Sequence, residues 1–193
     1  MDIKDKKIIL ASASPRRKEL LAGLCIDFEV DTRNNFEEVI DPSIPHEEIP
    51  EVLSVGKSNG FHRPLENNEI LITSDTLVLC EGKVMGKPSS RKDAYEMLKM
   101  LSGQDHKVIT AVSIRDHKRI VTFSDTAIVS FKPLTDSEIY FYIDNFKPFD
   151  KAGAYGIQEW IGYIGIERIE GSYFTIMGLP VHLVYELLLE FIG

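Results

Sequence analysis

The sequence predicts an α/β (mixed α+β) fold, a mixed sheet with flanking helices. Three observations predict it. Runs of β-favouring apolar residues alternate with segments of helical period along the whole chain. No internal repeat, low-complexity tract or linker interrupts that alternation, so residues 1–193 read as a single domain. A composition of 44% hydrophobic and 27% charged residues supplies the apolar material for a real core.

The elements follow in order. Lys7–Ala13 reads as a short buried strand. Pro15–Leu24 reads as a helix, with Ser14 as N-cap and Pro15 at the first helical position, where a missing N–H costs nothing. Leu20, Leu21 and Leu24 form its apolar stripe and Gly23 helps to stop it. Ile26–Val30 alternates as a strand does, and residues 31–45 are polar and loop-like. Pro50 opens a helix that runs to about Gly60. Ile70–Cys80 is strongly β, and Gly82 turns it into a short extension through Val84 and Met85.

In the second half, Ser90–Leu101 places Ala94, Met97, Leu98 and Leu101 on one helical face, with Gly103 as the stop. Val108–Ile114 and Arg119–Phe131 read as two long strands joined at Asp116-His117-Lys118. Thr135 with Glu138 makes a capping box for a helix through Phe146. Ala152–Ile157, Tyr163–Ile169 and Tyr173–Met177 read as three further short strands, and Pro180 opens a last amphipathic helix.

Several function classes are argued against at this level. A net charge of −8 does not suit a general nucleic-acid binder, which needs a basic face. No run approaches the ~18 apolar residues of a membrane span. The basic residues ahead of Ile8–Ala13 echo a signal peptide, but the apolar run is too short and Arg16 and Arg17 follow it. A cytoplasmic protein is therefore expected. Cys25 and Cys80 read as small buried hydrophobes, with no CxxC pair for zinc or redox work. Gly56-Lys57-Ser58 ends like a P-loop, yet the required earlier glycine is Glu51. The five histidines have no metal-ligand spacing, and no G-x-S-x-G elbow is present.

Three constellations remain. Ser12-Ala13-Ser14-Pro15-Arg16-Arg17 sits at a strand-to-helix junction, where free N–H groups favour anions and arginine grips phosphate bidentately. The same residues serve equally well as a capped helix with two solvated arginines. Asp75-Thr76 lies inside ILITSDTLVLC, where an unpaired carboxylate is costly, so Asp75 needs an edge, a partner or a metal. Lys87, in Met85-Gly86-Lys87-Pro88, could return to the same place or be simply solvated. Lys151–Gln158 combines two glycines that allow close backbone approach with an amide that matches a pyrimidine edge, or it is a tight turn between strands.

Taken together, LASASPRRKELL, SDTLVL followed by GKP, AYEMLKMLSGQDHKVITAV, DKAGAYGIQ and GLPVHLVYELL resemble the Maf family of nucleotide pyrophosphatases in order and spacing. The resemblance covers nearly the whole chain and is weakest over residues 31–70. It implies an elongated inosine-triphosphatase-like fold with two lobes around a cleft, often as a homodimer. It implies hydrolysis of dTTP or UTP, or of modified nucleotides, to the monophosphate and pyrophosphate. Asp75 matches the family's catalytic base, and Arg16, Thr76 and Gln158 the positions of substrate choice. Lys57 and Lys87 match lysines near the phosphates, and Ser12, Ser14 and Arg17 the phosphate loop. Glu38 matches an acidic residue that, with Asp75, holds a divalent metal such as Mg2+ or Mn2+. The family's link to septum formation implies an alternative, a nucleotide-binding regulator of cell division acting through a protein partner. Two departures stand out: Gly56-Lys57-Ser58 where members commonly read E-K-A, and Glu159-Trp160 after the glutamine, where a small residue is usual.

Overall fold

The computed structural model describes residue 3 and residues 5–193. Lys4, part of the basic lead-in to the first apolar run, lies outside the described residues. Among the described residues there are seven strands: β1 (Lys7–Leu10), β2 (Phe28–Val30), β3 (Glu69–Cys80), β4 (Lys83–Met85), β5 (Asp105–Arg115), β6 (Ile120–Phe131) and β7 (Ile166–Glu170). They form one mixed sheet in the order β2-β1-β3-β5-β6-β7, with β4 paired to β3. The chain divides into two compact units, one of residues 1–75, 110–125 and 178–193, the other of 76–109 and 126–177. The strands β3 (Glu69–Cys80), β5 (Asp105–Arg115) and β6 (Ile120–Phe131) each pass from one unit into the other.

In the first unit, β1 (Lys7–Leu10) pairs in parallel with both β2 (Phe28–Val30) and β3, with Leu10 opposite Val30 and Ile72. Flanking helices cover these strands, which explains their nearly continuous apolar runs. The helix α1 (Pro15–Ala22) begins as its sequence requires: Ser14 is extended, and its side chain accepts from Arg17 N. Its Leu21 joins Ile8, Leu10, Ile70, Ile72 and Ile114 in the core, together with Val184, Leu188 and Phe191 of the last helix, α7 (Val181–Ile192). A 3-10 turn at His46–Glu48 leads into α2 (Ile49–Asn59), whose Pro50 sits in the first turn.

In the second unit, β4 (Lys83–Met85) folds back on β3 through Val78 opposite Met85. The helix α3 (Arg91–Leu101) is capped by Ser90, and α4 (Asp136–Phe146) by the full Thr135–Glu138 capping box. Both starts are local side-chain chemistry; the capping box matches the sequence expectation, whereas Ser90, expected as the first helical residue, is the cap ahead of it.

Residues 152–177 do not. The expected strand at Ala152–Ile157 is a tight turn, because Gly153 and Ala154 both take left-handed φ, +69° and +60°. The expected strand at Tyr163–Ile169 is split into α5 (Trp160–Gly165) and β7 (Ile166–Glu170), which pairs antiparallel with β6. Gly162 makes that helix possible, since a Cβ there would lie 1.8 Å from Ile157 O. The expected strand at Tyr173–Met177 is α6, a single helical turn following Gly171 at φ +101°. Tyr, Phe, Thr and Ile favour strands, but the turn at Gly171 overrides that preference. Cys25 is also corrected: it is exposed at φ +54°, beyond the end of α1, whereas Cys80 is buried as expected. No helix among the described residues is long and apolar enough to cross a membrane.

Candidate active site

The strands β1 and β3 stay in parallel register as far as Ala11, whose N–H donates to Ile72 O at 2.9 Å. There β1 turns into α1, while β3 continues through Asp75. The Ser12–Arg17 segment and Ser74–Asp75 thus leave the carboxyl end of the same strand pair, a usual ligand position in α/β sheets. Asp75 and Thr76 are the two partly exposed positions in an otherwise buried strand.

Lys57 is the hub of the charged cluster in this unit. Its Nζ donates to Asp75 Oδ1 at 2.5 Å and lies 2.9 Å from Glu38 Oε1. The Asp75 side chain is 16% exposed and that of Glu38 55%, so the first pair is the shielded one. Surface pairs contribute little, and shielded ones matter chiefly when one partner is removed. No side chain among the described residues hydrogen-bonds Asp75 Oδ2. One carboxylate oxygen is held by a cation, and the other carries no side-chain hydrogen bond among the described residues.

The serines are used locally. Ser12 Oγ accepts from Ser14 N at 3.2 Å and Ser14 Oγ from Arg17 N at 3.4 Å, so each O–H remains to donate. Arg16 is partly buried on the first turn of α1. Arg17 acts as a clamp on backbone: Nε donates to Gly178 O and Nη1 to Ser74 O, both at 2.8 Å. Burial pushes its guanidinium down to about 10, against the pull of Asp75. Ser74 Oγ also donates to Gly178 O at 3.2 Å, and Gly178 holds φ +100°. Ser74 and Gly178 were not singled out by sequence reasoning; the glycine ahead of Leu179-Pro180 was the signal available.

The departure at Gly56 has a steric cause. A Cβ there would meet three ring atoms of Phe36 at 2.3–2.8 Å. Phe36 N is held by Asn34 Oδ1 at 2.8 Å, and Asn34 Nδ2 donates to Lys57 O at 2.6 Å. The segment leading to Glu38 is therefore seated on α2 beside Lys57. An ordinary helical Gly→Ala change stabilises by about 1 kcal/mol. Here Gly56→Ala should lower the melting temperature, because overpacking costs about 1–3 kcal/mol. In the Gly56→Ala/Phe36→Ala double variant the alanine at 56 should cost nothing further, and thermal melts of the four proteins check this.

The remaining candidates belong to the second unit. Thr76 follows Asp75 in β3, and Lys87 is exposed in the loop after β4. The carbonyl of the adjacent Gly86 accepts from Gly153 N at 3.1 Å, which joins the Lys87 loop to the small-residue turn. Gln158 is partly buried, and its Oε1 has no hydrogen-bond partner among the described residues. The turn before it rests on a group that the sequence reading did not assemble. Lys151 Nζ lies 2.7 Å from Asp150 Oδ1 and 3.1 Å from Glu159 Oε1, with the lysine side chain only 9% exposed. Tyr142 donates its hydroxyl to Glu159 Oε2 and accepts from Gly156 N at 3.0 Å. Burial first, and then Glu159, pushes the Tyr142 phenol above its usual range. The Glu159 departure thus anchors the backbone that carries Gln158. A lysine and a glutamate flanking two glycines were the only trace of it in the sequence.

A family model described as "Maf-like protein" matches residues 7–191. The "dTTP/UTP pyrophosphatase" of Parabacteroides distasonis is 48% identical over 190 residues, covering 98% of each chain. That of Porphyromonas gingivalis is 44% identical over 192 residues, covering 98% of this chain and 96% of its own. A solved HAM1 protein from Coxiella burnetii overlays 65% of this chain and 73% of its own, with a TM-score of 0.41 at 12% identity.

Proposed function

We propose that this chain, which belongs to the Maf-like protein family, is a nucleoside triphosphate pyrophosphatase that hydrolyses dTTP and UTP to the monophosphate and pyrophosphate. The observation that carries the reading is the state of Asp75: Oδ1 on the Lys57 ammonium, Oδ2 with no side-chain hydrogen bond among the described residues, at the carboxyl end of β1 and β3 beside the Ser12–Arg17 loop.

In this reading Asp75 Oδ2 takes a proton from water as its oxygen bonds to the α-phosphorus. The bond from the α-phosphorus to the bridging oxygen breaks, and pyrophosphate leaves with the electron pair. Lys57 fixes the carboxylate through the step. The hydroxyls of Ser12 and Ser14, the Arg16 guanidinium and the start of α1 receive phosphate oxygens. Arg17 contributes by holding Ser74 and Gly178 in place. Lys87 supplies a further cation for phosphate. Base choice falls to Thr76 and Gln158, whose unpartnered Oε1 suits the ring N–H of thymine or uracil.

A divalent metal fits the residues present. Among the described residues, no group of three or more His, Cys, Asp or Glu side chains is arranged to hold a metal. Glu38 and Asp75 are two carboxylates on one lysine, and Mg2+ typically takes one or two carboxylates together with substrate phosphates and waters. When bound, the metal would offset charge on the phosphates.

The test is pyrophosphate release from a panel of dTTP, UTP, 5-methylated analogues and purine triphosphates, with Mg2+ or Mn2+. Release fastest from dTTP and UTP is the expected result. A modified nucleotide that outcompetes both would move the assignment to nucleotide sanitation. Binding without release from any nucleotide would replace the enzyme reading with a regulatory one.

A further inference from the structure

We infer that a pocket in the first unit, away from Asp75, is a second anion site that takes a doubly charged tetrahedral oxyanion of the phosphate type. Its walls include Phe61, His62, Arg63, Arg115, Asp116 and His117, around a volume of about 470 Å³. That is ample for such an ion with part of its water.

Arg115, at the end of β5, carries the argument. Arg17, Arg33, Arg63, Arg91, Arg119 and Arg168 each hold a carboxylate or carbonyl oxygen. Arg115 holds none among the described residues, although it is partly buried and its Nε is fully covered without a partner. Burial alone lowers its pKa, with no carboxylate offsetting it. A guanidinium whose Nε is shut from water without an acceptor is costly, and its natural complement is an oxyanion that accepts parallel N–H groups.

The other charged walls do not supply that complement. The carboxylate of Asp116 is turned to backbone, with Oδ1 accepting from Lys118 N at 2.7 Å and Arg119 N at 2.8 Å. Arg63 is bound through both Nη atoms to Glu69, and His62 Nε2 lies 3.0 Å from Asp31 Oδ2. Arg63 and His62 thus already face carboxylates and Asp116 is taken up by backbone N–H groups, whereas no hydrogen bond or ion pair of Arg115 is found among the described residues. The inference does not depend on what Asp75 does.

The experiment compares wild type with Arg115→Met by thermal melting in a zwitterionic buffer, with and without inorganic phosphate. The Ser12–Arg17 loop is intact in both proteins, so its own response to phosphate cancels in the difference. Without phosphate the variant should melt at or above wild type, because an unpaired buried cation has been removed. With phosphate the wild type should rise more than the variant, and calorimetric titration should count one phosphate fewer on the variant. Equal phosphate responses would overturn the site. So would a variant that melts lower by the same margin in both buffers, which is the signature of an arginine needed only for packing. Repeating the comparison with ribose 5-phosphate separates the sources. The same difference there supports a site for phosphate monoesters, and its absence supports one for the free ion.

Discussion

Asp75→Asn should lower turnover of dTTP by about 10²–10⁴-fold, the range that a positioned general base contributes. On the rate scale that is about 3–5 kcal/mol of barrier. The magnitude separates two roles for the residue. If Asp75 merely anchored Lys57, its loss would cost what a partly shielded ion pair is worth, near 1 kcal/mol and so roughly fivefold. Asparagine keeps the shape of the side chain and can still accept a hydrogen bond from Lys57, while Glu38 remains 2.9 Å from the ammonium. The cluster should therefore stay assembled, and dTTP should still bind. What asparagine lacks is the charged oxygen that receives the proton. Pyrophosphate release at saturating dTTP, set beside equilibrium nucleotide binding, checks both halves. A variant within tenfold of wild type would reduce Asp75 to an anchor.

Legibility in the sequence followed the range of the interactions. The N-cap at Ser14 and the Thr135–Glu138 box involve residues three apart, so their chemistry is visible in a line of text. Asp75 was visible for the opposite reason: a carboxylate between Ser74 and Thr76 in a strand of Ile, Leu and Val contradicts its surroundings. Lys57 was named only through the family resemblance, and its direct pairing with Asp75 left no trace in the spacing. Lys57 is eighteen residues away on a helix, and Gly56 beside it leaves the space that the Phe36 ring fills. The strands expected at 152–157 and 173–177 do not form, because left-handed turns at Gly153, Ala154 and Gly171 decide their path while their side chains favour strands. Ile166–Ile169 is a strand as expected. The Arg17 clamp spans 161 residues to Gly178, and the Lys151–Glu159–Tyr142 group depends on α4 packing against the small-residue turn. Neither leaves a periodic or spacing signal.

Acidification from pH 6.5 to 4 should cost the fold about 3 kcal/mol through one side chain, His106. It is 2% exposed on β5, with Nε2 2.8 Å from the Tyr155 hydroxyl and Nδ1 without a partner among the described residues. The Phe131 ring stacks beside it and the Tyr155 ring meets it edge-on. Burial pushes the imidazole down to about 4, against a weak pull from Asp105. In the unfolded chain the same group titrates near 6.5. Between those values the unfolded state binds one proton more than the folded state, so stability rises with pH across the window. It is complete above 6.5 and declines as the pH falls through the window toward 4. Carboxylates held low by partners, such as Glu138 at about 2, also lose stability in acid, but below their unfolded values near 4. Urea unfolding at several pH values from 7 to 4.5 should therefore show a slope in wild type that is shallower by about one proton in His106→Phe. Equal slopes would mean that the imidazole is hydrated or charged in the folded state. If Gln158 selects the base as proposed, the consequence extends to it, because Tyr155 lies in the turn that precedes Gln158. A proton forced onto His106 removes the acceptor that Nε2 can offer the Tyr155 hydroxyl, and base selection should weaken at a pH where the rest of the fold still stands.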